Sequence, residues 1–151
     1  MKKSSIILSL FLMATLYISA QDSTSVEAMV NAKNFSFKPH TAMLLGGGVR
    51  QLTGGFELKV SKDKLIVYLP YFGRAYSAPL DPSRGALDFT SKSFLYEATE
   101  RKKGGYDVII RPKDGSDVQQ MVLLISESGS ASLQINSNNR QPISYNGVIS
   151  R

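Results

Sequence analysis

The residues best suited to chemistry lie together in one stretch, Leu69–Tyr76, which reads LPYFGRAY. It places Tyr71, Phe72 and Tyr76 beside Arg74. Aromatic rings next to a planar guanidinium can hold a ligand carboxylate or the face of a sugar, by bidentate hydrogen bonds and stacking. A proline and a glycine in the stretch interrupt regular strand pairing, so these side chains can gather at one end of a sheet. The alternative is structural, with the rings plugging that end and Arg74 capping backbone carbonyls.

A second polar and aromatic cluster, Asn138–Tyr145, precedes and begins the last predicted strand. It combines amide side chains with Arg140 and Tyr145, and its alternative interpretation is a polar turn followed by a closing strand. The two clusters together predict a ligand-binding set of six residues: Tyr71, Phe72, Arg74, Tyr76, Arg140 and Tyr145.

Catalytic and metal-binding constellations are not indicated elsewhere. The chain has no Cys, which removes thiolate nucleophiles, thiolate metal sites and disulfides. The single histidine, His40, has only scattered acids as partners, so we expect a surface or packing residue. Gly46–Gly48 lacks the Lys-Ser/Thr sequence and the strand-to-helix setting of a phosphate loop. We therefore predict a non-enzymatic domain without metal or cofactor.

The N-terminus has the layout of a secretory signal peptide. Two lysines precede the apolar and small run Ser4–Ile18, and Ala20 ends a short segment of small residues. The sequence predicts a signal peptide over residues 1–20 and a single domain over 21–151. The run is short for a membrane span and no cysteine is available for a lipid, so neither a transmembrane segment nor a lipid anchor is expected. The predicted location is the periplasm or the extracellular space.

The charge balance is mildly basic and gives no sign of a nucleic-acid partner. The 151-residue chain has 18 Lys and Arg against 12 Asp and Glu, a net charge of +6. Removal of the two N-terminal lysines lowers the net charge to about +4. The remaining cations are scattered except for Arg101–Lys103, whose position before two glycines is typical of a charged turn.

The apolar pattern predicts one short helix and then strands. Thr24 and Glu27 have capping-box spacing, and apolar residues recur at helical intervals, so a helix is expected over residues 25–33. Beyond it the pattern has period two. Denser apolar runs at Leu65–Leu69 and Met121–Ile125 indicate strands buried on both faces or covered by the helix. Strands are expected near residues 34–38, 56–61, 64–69, 87–90, 93–100, 105–112, 118–126, 130–136 and 142–149.

The turns between these strands are too short for crossover helices, so sequential strands must pair antiparallel. Closure of such a meander removes exposed edges. We predict an all-β, up-and-down barrel of about eight strands with a short N-terminal helix, and a curled β-sandwich is the alternative. Gly46–Gly48 with Gly54 and Gly55 is expected to be flexible, and Ala78–Gly85 to be a long loop.

Several of these segments also carry a family resemblance. LPYFGRAY, Gly104–Ile110, Gly129–Leu133 and Ser137–Tyr145 resemble a family of exported proteins from Bacteroides-type bacteria, domain of unknown function number 4251. The resemblance implies a Gram-negative exported protein with a lipocalin-like build. It implies no activity, substrate or site residue. The chain departs from the family pattern at the glycine-rich Leu44–Gly55.

The leading functional hypothesis is a domain that binds a small or extended ligand, whether small molecule, glycan or peptide, at the mouth of the barrel. The alternative is a protein-interaction or envelope-structural domain whose barrel is filled by side chains such as Phe89, Phe94 and Tyr106. A roomy, polar interior would favour the first, and a packed interior beside an exposed aromatic patch would favour the second.

Overall fold

A computed structural model describes residues 25–76 and 86–151 as one helix and ten strands. The elements in chain order are α1 (Val26–Ala32), β1 (Phe35–Leu44), β2 (Val49–Gln51), β3 (Glu57–Val60), β4 (Leu65–Pro70), β5 (Ala86–Ser91), β6 (Phe94–Glu100), β7 (Tyr106–Pro112), β8 (Val118–Ile125), β9 (Ser130–Ser137) and β10 (Ile143–Ser150). No helix in the described ranges is long and apolar enough to cross a membrane. The predicted signal peptide and the predicted loop Ala78–Gly85 lie outside the described residues.

The strands form one antiparallel sheet that is nearly closed into a barrel. Its order is β5-β4-β3-β1-β10-β9-β8-β7-β6, and β2 pairs with β1 off this path. The first and last strands of the chain therefore pair with each other. The one seam lies between β5 and β6, which run in the same direction and are joined by only residues 92–93. The prediction of an all-β antiparallel barrel is confirmed.

The bend between β5 and β6 is held by the turn after β7. The Asp114 carboxylate accepts hydrogen bonds from the Ser91 hydroxyl and from the backbone amides of Lys92 and Ser93. The hydrogen bond from Ser91 and those from the amides lower the pKa of Asp114, because they stabilise the charged carboxylate. A single carboxylate thus joins the two edges of the sheet.

Because all ladders are antiparallel, the connections fall at two ends of the barrel. The helix end holds α1 and the turns 61–64, 101–105 and 126–129. The rim end holds the turns 45–48, 113–117 and 138–142 and the exit of β4. The two predicted clusters thus lie at one end of the barrel.

The interior is filled by apolar side chains. Inward-facing residues alternate with outward-facing ones along β7 to β10, and the inward side chains there are mostly buried, whereas the edge strand β6 has no fully buried residue. Burial on one face also holds for β4 and β8, where Tyr68 and Leu124 are exposed, so the expectation of two buried faces was wrong. Phe89, Phe94 and Tyr106, which the filled-barrel hypothesis placed in the interior, are partly buried and pack against this core.

Helix α1 closes the helix end. Met29 and Val30 are buried in the core, and the Tyr96 hydroxyl donates a hydrogen bond of 2.9 Å to the Val30 carbonyl. Ser25 is the N-cap, since its hydroxyl accepts a hydrogen bond from the Ala28 amide. The predicted helix is confirmed, but Ser25 caps it where Thr24 was expected.

The glycine-rich segment contains a strand that the sequence did not predict. Strand β2 pairs Val49–Gln51 with Thr41–Met43 of β1, which extends well beyond residue 38. Three residues between glycine clusters offer too few positions for an alternating pattern. The turn needs glycine because Gly47 has a φ of 79° and Gly48 of 138°.

Candidate functional site: the rim of the barrel

The two predicted clusters meet at the rim end. Ala75 and Arg140 form an isolated antiparallel bridge, and the Tyr76 amide donates to the Asn139 carbonyl at 2.8 Å. The Gln141 amide donates to the Arg74 carbonyl at 3.1 Å, and the Gln141 side-chain oxygen accepts from the Arg74 amide at 3.2 Å. The exit of β4 is thereby tied to the β9–β10 connection.

Tyr71 has a structural role in this junction. Its hydroxyl hydrogen is shared between the carbonyls of Arg74 and Gln141, each 3.0 Å from the oxygen. Gly73 makes room for this fold-back, because a Cβ at that position would overlap the Tyr71 hydroxyl. Burial raises the pKa of Tyr71, and the nearby Arg140 charge partly offsets that rise. The motif therefore encodes a side chain that closes its own turn.

Tyr145 is buried beneath the rim. Its side chain belongs to the core, and its hydroxyl donates a 2.7 Å hydrogen bond to the Pro70 carbonyl. Burial raises the pKa of Tyr145 because the phenolate would lose its hydration. This contact ties β10 to the end of β4, and it leaves the hydroxyl engaged within the protein.

Arg140 is held by the protein on two sides. Its Nε lies 3.2 Å from the Asp117 carboxylate, and its guanidinium carbon lies 5.2 Å from the centroid of the Tyr71 ring. Its side chain is only 16% exposed. Asp117 is itself fixed, since its carboxylate accepts a hydrogen bond from the Asn139 amide. Arg140 thus braces the junction between the turns at residues 113–117 and 138–142.

The exposed members of the predicted set are Phe72, Arg74 and Tyr76. Phe72 is 37% exposed and Tyr76 70% exposed. The Arg74 side chain is exposed and has no hydrogen bond or ion pair to another residue of the described ranges. Among the described residues the Arg74 side chain caps no backbone carbonyl, and the carbonyl of Arg74 accepts the hydrogen bond from the Tyr71 hydroxyl.

A pocket of about 210 Å³ opens where Phe72 and Arg74 meet the β1–β2 turn. Leu44, Leu45 and Pro142 also line it. We refer to it as the rim pocket. It combines apolar walls with the Arg74 guanidinium, which has no partner among residues 25–76 and 86–151, and this suits an anionic group attached to an apolar body.

Arg50 is a rim residue that the sequence interpretation missed. Its guanidinium carbon lies 5.1 Å from the centroid of the Phe72 ring, on a strand that was expected to be flexible. No local pattern distinguishes it from the other scattered cations. Only the pairing of β2 with β1 brings it to Phe72, where it adds positive charge beside the rim pocket.

His40 lies outside the rim. It is an exposed residue of β1, and its side chain makes no hydrogen bond with another described residue. Residues 25–76 and 86–151 contain no group of three or more His, Asp or Glu that could hold a metal ion.

Comparison with known proteins gives a family and a fold. The model of a family described as a domain of unknown function, DUF4251, matches residues 18–149. The chain belongs to the DUF4251 family. A solved structure of a DUF4251 family protein from Bacteroides eggerthii matches it with a TM-score of 0.58 at 17% identity, covering 82% of this chain and 83% of that one. No curated protein matches the chain.

Membership in DUF4251 confirms the resemblance that LPYFGRAY and the other segments carry. At 17% identity the solved relative shows the shared fold alone. Neither comparison indicates a specific function, so a role for the DUF4251 rim must be argued from its own geometry.

Proposed function

We propose that this DUF4251 domain is an exported, non-enzymatic binding module, and that its rim pocket takes a small or extended ligand carrying a carboxylate or phosphate next to an apolar group. The observation that carries the proposal is the Arg74 guanidinium, which lines the rim pocket beside Phe72 without a partner in the described part of the chain. A guanidinium matches a carboxylate or phosphate with two parallel hydrogen bonds.

The arrangement around Arg74 supports binding at the rim instead of inside the barrel. The inward-facing side chains of the described strands fill the interior. A ligand would therefore bind at the rim end. Tyr71, Tyr145 and Arg140 hold that end rigid through hydrogen bonds, an ion pair and a ring contact. A rigid support lowers the entropy cost of ordering the site on binding.

The test compares carboxylates with their uncharged counterparts. Isothermal titration of the purified protein with octanoate and glucuronate, each against its amide, should show binding of the acids only. Arg74→Gln should weaken binding about tenfold or more, as expected for a lost charge-assisted hydrogen bond. Phe72→Ala should weaken octanoate more than glucuronate.

Lys62→Gln is the matched control, since it removes an exposed cation at the helix end. It should leave both affinities unchanged. Equal affinity for acids and amides, or equal losses in Arg74→Gln and Lys62→Gln, would show that Arg74 does not select the ligand.

Export is a separate part of the proposal. It is supported by the lysines, the apolar run and the small residues before Gln21. Mass spectrometry of the protein from the periplasm or medium should give an N-terminus close to Gln21. A full-length cytoplasmic form as the main species would contradict export.

Docking of a partner protein is the second candidate function, and the filled interior favours it. Leu45 and Val49, in and next to the β1–β2 turn at the rim end, are 66% and 63% exposed. A photo-crosslinking residue at Val49 should give one discrete adduct in cells, and the same residue at the exposed Leu124 should give none. Identical crosslinking patterns at both positions would argue against docking.

A further inference from the structure

A second cleft lies on the side of the barrel, where β1 passes from one partner strand to another. Phe35–Phe37 pair with β3 and Thr41–Met43 pair with β2, which leaves Lys38–His40 facing the connection between β2 and β3. The Leu52 amide donates a 2.8 Å hydrogen bond to the His40 carbonyl and anchors that connection. The cleft between them has a volume of about 520 Å³ and shares no lining residue with the rim pocket.

A β-bulge shapes this cleft. The register of β1 against β10 shifts between Pro39 and Thr41, so His40 is the extra residue. Gly147 lies opposite Pro39, and a Cβ there would overlap the Lys38 carbonyl, so the close approach of the two strands requires glycine. Bulges redirect side chains, and this one places His40 in the wall of the cleft.

The polar side chains of the cleft have no partners among residues 25–76 and 86–151. Lys38, His40 and Glu57 all line it, and none makes a side-chain hydrogen bond or ion pair with another described residue. Lys38 and Glu57 carry opposite charges on adjoining strands without pairing. An ammonium, an imidazole and a carboxylate together offer hydrogen-bond donors and acceptors at one place.

An aromatic ring forms another wall of the cleft. Phe56 lines it and packs against Tyr68, with ring centroids 5.5 Å apart and planes inclined by 31°. This contact holds the Phe56 ring in place. Leu52 and Pro39 extend the apolar surface beside it.

We propose that this cleft is a second binding site and that it takes a neutral saccharide unit. A sugar presents hydroxyl groups that both donate and accept, and a C–H face that packs on an aromatic ring. Lys38, Glu57 and His40 match the hydroxyls, and Phe56 matches the C–H face. The Glu57 carboxylate would repel an anion. A wholly apolar ligand would remove water from the charges of Lys38 and Glu57 without offering hydrogen bonds in its place.

The test is an NMR titration of the purified protein with maltotriose, cellotriose and N,N′,N″-triacetylchitotriose. At least one should give saturable shifts centred on residues 38–40 and 52–57. Trigalacturonate, the charged comparator, should bind more weakly. Phe56→Leu keeps an apolar side chain but removes the ring, and should weaken the bound trisaccharide about tenfold.

Glu57→Gln should also weaken binding about tenfold, since it removes one charge-assisted hydrogen bond without changing shape. It decides the matter if Phe56→Leu fails to fold. The matched control is Glu127→Gln at the helix end, which changes an exposed carboxylate outside the cleft and should leave trisaccharide affinity unchanged. Because octanoate binding at the rim is measured separately, each site can fail without the other.

Three results would overturn the proposal. They are the lack of saturable shifts with every neutral trisaccharide, tighter binding of trigalacturonate, and affinities that both cleft variants leave intact.

Discussion

The two ends of the barrel are held by the same kind of contact but expose different surfaces. At the helix end the Tyr96 hydroxyl donates to the Val30 carbonyl, and at the rim end the Tyr145 hydroxyl donates to the Pro70 carbonyl. Helix α1 covers the first end with buried apolar residues. The rim is covered by short connections, which leave Phe72 and Arg74 facing solvent. The helix therefore completes the core at one end. At the other end, side-chain contacts support the connections and leave adjacent side chains exposed for binding.

The largest expected effect comes from removing the tyrosine beneath the rim. Tyr145→Ala should lower the free energy of unfolding by about 3 to 5 kcal/mol, because it empties a fully buried ring position. Tyr145→Phe should cost about 1 to 3 kcal/mol, since it deletes only the buried hydrogen bond to Pro70. Denaturant titration measures both.

Tyr96→Phe is the matched variant at the helix end. Its hydrogen bond is only partly buried, so the cost should be about 0.5 to 1.5 kcal/mol. A larger loss for Tyr96→Phe than for Tyr145→Phe would reverse the comparison between the two ends.

Alkaline pH should lower the free energy of unfolding through the buried tyrosines at both ends of the barrel. Burial raises the pKa of Tyr96 and Tyr145 above the ordinary value of 10.0. Above that pH the unfolded chain releases these protons while the native protein keeps them, so the free energy of unfolding falls as pH rises. The slope should reach about 1.4 kcal/mol per pH unit for each tyrosine.

Unfolding curves recorded from about pH 9 to about pH 12, the range in which tyrosine hydroxyls lose their protons, measure that slope. Each Tyr→Phe variant should show a shallower decline than the wild-type protein. Parallel declines in all three proteins would contradict the assignment.

The two arginines of the rim should differ in their effect on stability, because Arg140 contacts other side chains and Arg74 is exposed. Arg140→Ala should cost about 1 to 2 kcal/mol, because it breaks the ion pair with Asp117 and the contact with the Tyr71 ring. Thermal unfolding of Arg140→Ala and Asp117→Asn should show losses of similar size. An unchanged melting temperature in Arg140→Ala would show that Arg140 does not stabilise the rim.

The smallest expected effect on stability is that of Arg74. Arg74→Gln should change the free energy of unfolding by less than about 0.5 kcal/mol, since the exposed guanidinium has no partner among the described residues. The same variant should lose carboxylate binding. A stability loss comparable to that of Arg140→Ala would show that Arg74 braces the rim after all.

Much of the fold could be predicted from local pattern, and the exceptions have physical causes. Alternation along Phe94–Glu100 and Tyr106–Pro112 indicated strands because side chains of a strand point to opposite faces. Strand β2 was missed because its three residues owe their pairing to β1 and not to their own propensity. The extension of β1 past Pro39 was missed because a bulge accommodates the proline.

The sequence predicted that the residues of the first cluster gather at one end of the barrel, but not which of them support the rim and which are exposed. Tyr71 and Arg74 are both polar-ended side chains of one turn, and nothing in their spacing tells which of them reaches the backbone. The fold-back over Gly73 assigns that contact to Tyr71. The sequence likewise did not distinguish Arg140 from Arg74. In the structure, Asp117 from another turn forms an ion pair with Arg140.

The sequence by itself determined the class of this protein: an antiparallel meander with short turns, because hydrophobic period and turn chemistry are local properties. It also indicated that Tyr71, Phe72, Arg74 and Tyr76 would gather at one end, because Pro70 and Gly73 interrupt regular strand pairing. The tertiary structure placed the second cluster at the same end, because β5 and β6 run in the same direction. Only the tertiary structure decided where the sheet leaves its seam, which rim residues are engaged and which are exposed, and that a cleft opens beside His40. Those outcomes depend on contacts between residues distant in the chain, such as Tyr145 with Pro70, which no local pattern specifies.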